Sequence, residues 1–192
     1  MAKRKYAEII QAAAKVFAEK GFYGASMQDI AQELGMNKSS LYYYVKAKED
    51  LVKGLVEGVL QDILKEAREV METGHDPAAK LRLIIEAHLR QFLAHRSAFA
   101  VFLHENPALL DRFSQADVQR VMKDYDALLV GLIEEGQANG TFRADLDPKI
   151  TVFGIFGMCN YTSKWYHAEG SIKGPEVARV FAEIALHGVI KS

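Results

Sequence analysis

The chain has 192 residues, of which 24 are Lys or Arg, 25 are Asp or Glu, and one is cysteine. This length suits one or two compact domains with a sizeable hydrophobic core. A single cysteine excludes an internal disulfide framework and a structural zinc cluster, and no hydrophobic signal segment follows the basic start, so we expect a cytoplasmic protein. The longest apolar stretch, residues 151–159, is well short of the roughly 18 residues of a membrane helix.

Charge is distributed unevenly along the chain. Residues 1–53 contain nine basic and six acidic side chains, whereas residues 54–192 contain fifteen and nineteen. A positive surplus at one end suits phosphate binding, although ordinary variation in surface charge explains such a difference equally well. The decision between the two therefore rests on the motifs.

Apolar residues at helical spacing predict a first α-helix, and the same period continues nearly throughout the chain without a persuasive strand. Gly21 is expected to end this helix in the left-handed conformation. Ser26-Met27-Gln28-Asp29 predicts a capping box, in which the serine hydroxyl and the carboxylate satisfy free amides of a second, short helix. The apolar face of the first helix consists of Tyr6, Ile9, Ile10, Ala13, Val16 and Phe17.

A third helix is predicted over residues 38–45, after the turn Gly35-Met36-Asn37, whose asparagine can cap it. Two short helices around a tight turn form a helix-turn-helix. Leu41 and Val45 are four residues apart and are expected to face the core. The outer face is shared by Lys38, Ser39 and Tyr42.

This outer face suits the major groove of DNA. Ser39 and Ser40 can hydrogen-bond base edges or phosphates, and Tyr42 offers a ring edge for a thymine methyl group and a hydroxyl for phosphate. Tyr43 is expected to be partly buried, with its hydroxyl in water. The predicted contacts to the DNA backbone are Tyr44, Lys46 and Lys48. For the two lysines, the alternative is that they only solvate the start of the next helix.

Three motifs together make residues 5–55 resemble the N-terminal domain of the TetR family of bacterial regulators. They are Lys20-Gly21-Phe22, Asp29-Ile30-Ala31, and Leu-Tyr-Tyr-x-x-Lys-x-Lys-Glu-x-Leu from Leu41 to Leu51. The resemblance implies groove contacts by Gln28, Lys38, Ser39 and Tyr42, and phosphate contacts at Met27, Tyr44 and Lys48.

Met27 and the basic N-terminal residues differ from the rest of this region. Met27 departs from the family pattern, in which many members have a hydroxyl residue, so only its backbone amide is expected to serve. Lys3, Arg4 and Lys5 form either a flexible arm on DNA or a solvated start.

The resemblance also implies a fourth helix that links two domains, and residues 48–71 have the required length and period. A break with Asp76 as helix cap is predicted at Asp76-Pro77, and a second capping box at Ser114–Asp117. Further breaks are predicted at Asn106-Pro107, Asn139-Gly140, Asp147-Pro148 and residues 169–175. We therefore predict an all-α chain of about nine helices. Residues 1–53 would form a three-helix DNA-binding domain with the helix-turn-helix, and residues 54–192 a helical domain for ligand sensing and dimerisation.

Sensor domains of this family hold a pocket between the middle helices, so apolar residues there are candidates to line it, although most serve simply as core. His88, His95 and His104 do not place two imidazoles on one helical face with a carboxylate, so we expect no metal site. Cys159 is expected to be a small buried residue rather than a redox sensor. The apolar candidates are Leu81, Ile85, Leu89, Phe92, Phe99, Phe102, Leu103, Leu128, Leu132, Phe153 and Phe156.

Residues 157–170 are the most informative part of the sensor domain. On a helix, Asn160, Lys164 and His167 share a face, and Tyr161 lies one turn below Trp165. A cation beside aromatic rings can pair with phosphate while a ring stacks on a purine, and the pattern resembles the acyl-coenzyme A-responsive branch of the family. Dimer contacts explain the aromatic residues equally well. The predicted ligand contacts are Leu89, Phe92, Phe99, Phe102, Leu103, Phe156, Asn160, Tyr161, Lys164 and Trp165.

We therefore predict a homodimeric regulator, with repression as the expected mode, that binds a roughly palindromic double-stranded operator and is released by an acyl-coenzyme A effector. Helices near residues 148–166 and 176–190 would form the dimer seam. The alternative is a regulator of the same fold that senses a drug-like or aromatic hydrophobic compound, as efflux regulators do. An enzyme is not expected because the sequence has no standard catalytic constellation, and no cofactor is expected.

Overall fold

The computed structural model describes residues 2–104 and 116–191. In these two stretches the chain forms nine α-helices, together with an isolated antiparallel bridge between Phe142 and Ile190. The predicted all-α class is confirmed. The predicted turn at Asn106-Pro107 and the predicted cap at Ser114 lie outside the described residues. The helices are α1 (Ala2–Gly24), α2 (Met27–Glu33), α3 (Lys38–Tyr44), α4 (Lys48–Met71), α5 (Pro77–Ala94), α6 (Arg96–His104), α7 (Ala116–Ala138), α8 (Pro148–Trp165) and α9 (Gly174–Val189).

The helix starts follow the predicted caps. The Ser26 hydroxyl accepts from the Asp29 amide at 3.1 Å, and Asp29 Oδ2 accepts from the Ser26 amide at 2.8 Å, so the capping box is confirmed. Asn37 caps α3 in the predicted way, and Asp76 and Asp147 each accept from an amide in the first turn of α5 and α8. These bonds satisfy amides that have no partner inside the helix.

Glycines with positive φ mark the predicted breaks. Gly21 has φ 69° and ψ 168°, which interrupts α1 before its last turn, and Gly140, with φ 80°, follows the end of α7. Side chains with a Cβ rarely adopt this backbone region, whereas glycine does so at little cost. The helix ends near these two residues are therefore encoded locally.

The chain divides into two compact units. The first contains α1 to α3, α4 up to residue 59, and α6; in it, α1 packs on α2 and α6, and α2 packs on α3. The second contains α4 from residue 60, α5, α7 from residue 119, α8 and α9, and here α5 packs on α8 and α9. The predicted domain boundary between residues 53 and 54 concerns function and stays a prediction.

Each unit has its own apolar core, as expected when burial of apolar surface drives folding. Among the described helices, none combines the length and hydrophobicity that crossing a bilayer requires. Large side chains that are fully buried in the first unit are Ile9, Phe17, Ile30, Leu41 and Leu51. Those in the second unit are Leu81, Ile84, Ile85, Leu89, Phe92, Leu129 and Phe142.

Candidate DNA-binding surface and sensor cluster

Helix α2 is anchored at its start by a charged side chain. Asp29 accepts from the Lys20 ammonium at 2.6 Å and from the Ser26 hydroxyl at 2.6 Å. These contacts hold the pKa of Asp29 well below its usual range, and the Lys20 ammonium contributes more than Ser26 does. Beside this cap, Gln28 is exposed, as a groove contact requires, whereas the Met27 side chain is buried. Only the backbone of Met27 is therefore left for DNA.

Helix α3 turns one face to the core and one to solvent. Leu41 and Val45 are buried, as predicted. The Lys38 ammonium lies 5.9 Å from the centroid of the Tyr42 ring, which places these two residues side by side one turn apart. The predicted outer-face residues Lys38, Ser39 and Tyr42 are all exposed.

Asn37 also orders the two serines at the start of α3. Its Oδ1 accepts from the Ser39 hydroxyl at 2.8 Å and from the Ser40 amide at 2.7 Å. Ser39 is exposed and Ser40 is half-buried. The Ser39 oxygen thus has a fixed position on the outer face and lone pairs with which to accept a further hydrogen bond.

The position of the Tyr43 side chain differs from the prediction. Its side chain is 86% exposed, so the expectation that the ring is partly buried was wrong. Residues of an α-helix advance by about 100° each, which places Tyr43 about 200° from the core-facing Leu41. The ring meets that of the half-buried Tyr44 edge-on, with centroids 5.3 Å apart. Tyr43 therefore extends the exposed surface of α3, and it was missed as a candidate for DNA contact.

The two lysines that precede or begin α4 differ in their surroundings. Lys46 is exposed, while its amide and that of Ala47 donate to Asp50 Oδ2, each at 3.0 Å. The ammonium of Lys48 turns inward: it donates to the carbonyls of Phe22 at 2.5 Å and Ala25 at 2.8 Å, and it lies 4.3 Å from the centroid of the Phe22 ring. Lys48 thus ties the start of α4 to the corner between α1 and α2.

The second unit contains a buried polar cluster formed by His88 of α5, Tyr125 of α7 and Asn160 of α8. His88 Nδ1 lies 3.3 Å from the Tyr125 hydroxyl, and His88 Nε2 lies 3.0 Å from Asn160 Oδ1. The imidazole stacks between Phe92 and Tyr125, with centroids 5.7 and 5.9 Å away, and Phe156 meets it edge-on at 5.0 Å. Three helices are therefore joined by hydrogen bonds inside an aromatic shell.

This cluster is uncharged at neutral pH. Burial lowers the pKa of His88 to about 4, an effect that the hydrogen bond to Asn160 offsets only in part. Burial also raises the pKa of Tyr125 well above its ordinary value. A neutral imidazole can donate from one nitrogen and accept at the other, so both of its ring nitrogens are matched to a partner.

The predicted ligand residues fall into separate groups. Leu89, Phe92 and Phe156 are buried in the second unit, and Asn160 is half-buried. Phe99 is buried in the first unit, while the side chains of Phe102 and Leu103 lie outside the described residues. The exposed members of the set are Tyr161, Lys164 and Trp165.

The Trp165 ring lies 6.3 Å from the ring centroids of both Tyr166 and Phe181, so it bridges the end of α8 and helix α9. His88 and Tyr125 were missed as candidate site residues, because their partners lie 37 and 72 positions away in the sequence. In the described part of the chain, no group of three His, Cys, Asp or Glu residues is placed to hold a metal ion.

Cys159 lies next to the cluster in sequence. It is fully buried, and burial raises the pKa of its thiol to about 12. A thiol in this state is protonated at neutral pH and a poor nucleophile. The prediction of a small buried residue is confirmed.

The buried His88 predicts a pH-dependent stability. Below pH 6.5 the unfolded chain binds a proton that the folded chain excludes down to about pH 4. The free energy of unfolding is therefore expected to fall by about 3 kcal/mol as the pH drops through this window, at about 1.4 kcal/mol per pH unit. Urea denaturation followed by circular dichroism between pH 7 and pH 4 measures this loss.

The variant His88→Phe isolates this contribution from that of titrating carboxylates. It keeps a ring between Phe92 and Tyr125 but leaves Asn160 and Tyr125 without their partner, so we expect it to be about 1–3 kcal/mol less stable at pH 7. Its curve should then converge with that of the wild type towards pH 4. His75→Phe, at an exposed site, is the control, and parallel curves for His88→Phe and wild type would contradict the prediction.

Two family models match the chain. The model of bacterial regulatory proteins of the tetR family matches residues 9–55, which include the helix-turn-helix. The model of the tetracyclin repressor-like C-terminal domain matches residues 74–189, which include the buried cluster.

Individual relatives match over nearly the whole chain. The HTH-type transcriptional repressor KstR2 of Rhodococcus jostii (strain RHA1) is 28% identical over 95% of this chain and 89% of its own length. The fatty acid metabolism regulator protein of Bacillus subtilis (strain 168) is 27% identical over 82% of this chain and 81% of its own. The structure of the fatty acid degradation regulator FadR from Bacillus halodurans is similar with a TM-score of 0.78 at 26% identity, covering 96% of this chain and 95% of that one. The chain therefore belongs to the TetR family and is a DNA-binding transcriptional regulator rather than an enzyme.

Proposed function

We propose that this protein is a homodimeric repressor that binds a roughly palindromic operator and is released by an acyl-coenzyme A thioester. The observation that carries the effector part is the arrangement on α8, where the half-buried Asn160 is followed by the exposed Tyr161 and Lys164. Two relatives that are regulators of fatty acid metabolism or degradation support an acyl effector. Release requires that the effector bind the DNA-free state more tightly than the DNA-bound state.

On the DNA side, the outer face of α3 is proposed to enter the major groove. Ser39, Ser40 and Tyr42 would contact base edges or groove phosphates, and Tyr43 would join them because it is exposed on the same surface. The remaining proposed contacts to DNA are Gln28, Lys38, Tyr44, Lys46 and the backbone of Met27. Lys48 would act by holding α4 in place, since its ammonium already donates to two carbonyls.

Salt dependence distinguishes the two lysines. Each contact between a cationic side chain and a phosphate contributes about −0.9 to the slope of a plot of log association constant against log salt concentration. Lys46→Met is expected to make the slope shallower by about one, whereas Lys48→Met should weaken operator binding with an unchanged slope. Fluorescence anisotropy with a labelled operator between 50 and 300 mM KCl measures both. A shallower slope for Lys48→Met would mean that Lys48 leaves its carbonyl partners to bind phosphate.

The dimer part of the proposal rests on apolar side chains that α8 and α9 leave exposed. Ile150 is 72% exposed, Phe153 54% and Ile184 55%. Gly154 and Gly157 lie on the same exposed side of α8, and a Cβ at either would meet nothing within 4 Å, which leaves room for a close helix. A second copy suits this face because α8 and α9 pack together and would form a four-helix seam with their two-fold mates.

Charges placed in this seam are expected to separate the dimer. In a two-fold seam, Phe153→Asp and Ile184→Asp each introduce two carboxylates. Because burying these charges is costly, we expect the dissociation constant of the dimer to rise at least about a hundredfold. Sedimentation velocity at micromolar concentration measures the change, and operator affinity should fall with it. Met122→Asp, at an exposed apolar residue of α7, is the matched control. A double variant that still sediments as a dimer would refute this interface.

The effector is tested by mobility shift on DNA that flanks the protein's own gene. We expect release by acyl-coenzyme A thioesters but not by free fatty acids or by the hydrophobic cation tetraphenylphosphonium, which does not intercalate into DNA. Lys164→Ala should raise the thioester concentration for half release about tenfold, because it removes a cation that pairs with phosphate. Lys123→Ala, at an exposed lysine of α7, is expected to respond like the wild type.

The possible outcomes separate the effector classes. Release by tetraphenylphosphonium, with no response to any thioester, would favour the drug-sensing alternative. A thioester response that survives replacement of both Lys164 and Trp165, with the dimer intact, would leave the effector class in place but remove these residues from its site.

A further inference from the structure

The hydrogen bonds of the buried cluster of His88, Tyr125 and Asn160 all run in one donor-to-acceptor direction. The side-chain oxygen of Asn160 can only accept, so His88 Nε2 carries the proton and donates to it across 3.0 Å. In a neutral imidazole Nδ1 is then the acceptor, and it receives the Tyr125 hydroxyl proton across 3.3 Å. The chain of donors thus runs from the phenol through the imidazole to the amide oxygen of Asn160.

This hydrogen-bond direction also fixes where the Nδ2 group of Asn160 lies. Its Oδ1 is held towards the imidazole, so Nδ2, with two N–H donors, points to the opposite side of the amide group. His88 is 6% exposed and Tyr125 8%, whereas Asn160 is half-buried. Asn160 is therefore the member of the cluster that a bound molecule can reach, and it offers that molecule a donor.

The surroundings favour an uncharged acceptor at this donor. His88 and Tyr125 are both neutral: burial lowers the pKa of His88, and burial is also the main cause that raises the pKa of Tyr125. A carboxylate brought to the cluster would lose its hydration without gaining a cation among the three cluster residues. The oxygen of a ketone, ester or thioester pays a smaller cost and accepts the same hydrogen bond.

We propose that Asn160 Nδ2, oriented by His88 and Tyr125, donates a hydrogen bond to the carbonyl oxygen of an acyl thioester. Asn160 is the contact residue, and His88 and Tyr125 are positioning residues. The buried side chains of Phe92 and Phe156, which surround His88, would line the end of the site that takes the acyl chain. The inference rests on the proposed function, because it assigns the polar contact for the proposed effector.

The test compares two ligands that differ only in the carbonyl group. They are an acyl-coenzyme A and the S-alkyl-coenzyme A of the same chain length, used as pairs of four, eight and sixteen carbons. Isothermal titration calorimetry on the full-length wild type is expected to give a dissociation constant about tenfold lower for the thioester than for the thioether, the effect of one partly buried hydrogen bond. Free octanoate carries a carboxylate, which the neutral cluster disfavours. Even in about hundredfold excess over octanoyl-coenzyme A, it should therefore not displace the thioester.

Substitutions at Asn160 then remove the preference. In Asn160→Leu the ratio of the two dissociation constants should fall to about one, because leucine offers the thioester carbonyl no donor. Asn160→Asp, which keeps the shape but offers only acceptors, should bring the ratio to one or below. Tyr125→Phe is expected to reduce the ratio by about two- to threefold through the looser orientation of His88 and Asn160. Thr151→Val, on the same helix, is the matched control and keeps the wild-type ratio.

Because each ratio is measured within one protein, a general loss of stability does not change it. If the wild type binds no member of any pair, the proposed effector class fails and this inference fails with it. If the wild type binds thioesters but the ratio is one, or if the preference persists in both Asn160 variants, the effector class stands and the role of Asn160 is refuted.

Discussion

The second unit depends on an imidazole that is buried without a compensating charge. His88 lies in α5, and its two nitrogens reach Tyr125 of α7 and Asn160 of α8. A buried polar group that loses its partner costs more than an ordinary hydrogen bond gains, so the three helices are held in one register. The same pairing keeps the cluster neutral and leaves the half-buried amide of Asn160 as its accessible end. On the inference drawn above, stability and ligand recognition rely on the same atoms.

Helix α4 is tied down in each of the two units through which it runs. In the first unit, Lys48 fixes its first turn to the carbonyls of Phe22 and Ala25. In the second, Glu66 accepts from Arg90 and Gln91 of α5, the helix that also carries His88. On the proposed function, a shift of α5 that accompanies effector binding would pull on α4 through Glu66. Affinity for DNA would then change only as far as the two states bind the effector differently.

Features encoded by neighbouring residues could be predicted from the sequence. The caps at Ser26, Asn37, Asp76 and Asp147 each need one side chain and an amide two or three residues later, so they follow from local chemistry. Tyr43 was misplaced because three consecutive tyrosines cannot share one helical face, and the core-facing position next to them already belonged to Leu41.

The buried cluster could not be predicted in this way. His88, Tyr125 and Asn160 are separated by 37 and 35 positions, and their pairing exists only after α5, α7 and α8 have packed. Lys48 gives a similar lesson, since its carbonyl partners are 26 and 23 residues earlier in the chain. In both cases the residue type was visible in the sequence, but its partner was set by tertiary structure.

Helix α8 presents different residues on its buried and its exposed sides. Val152, Phe156 and Cys159 face the core, while Phe153 and Tyr161 are exposed on the side proposed for the dimer. Asn160 lies at the edge between these faces, next to Tyr161 in sequence and about 100° from it around the axis. A rotation of α8 that improves a hydrogen bond to Asn160 must therefore also move the exposed face. If that face is the dimer seam, ligand recognition and the geometry of the seam are linked through α8 itself.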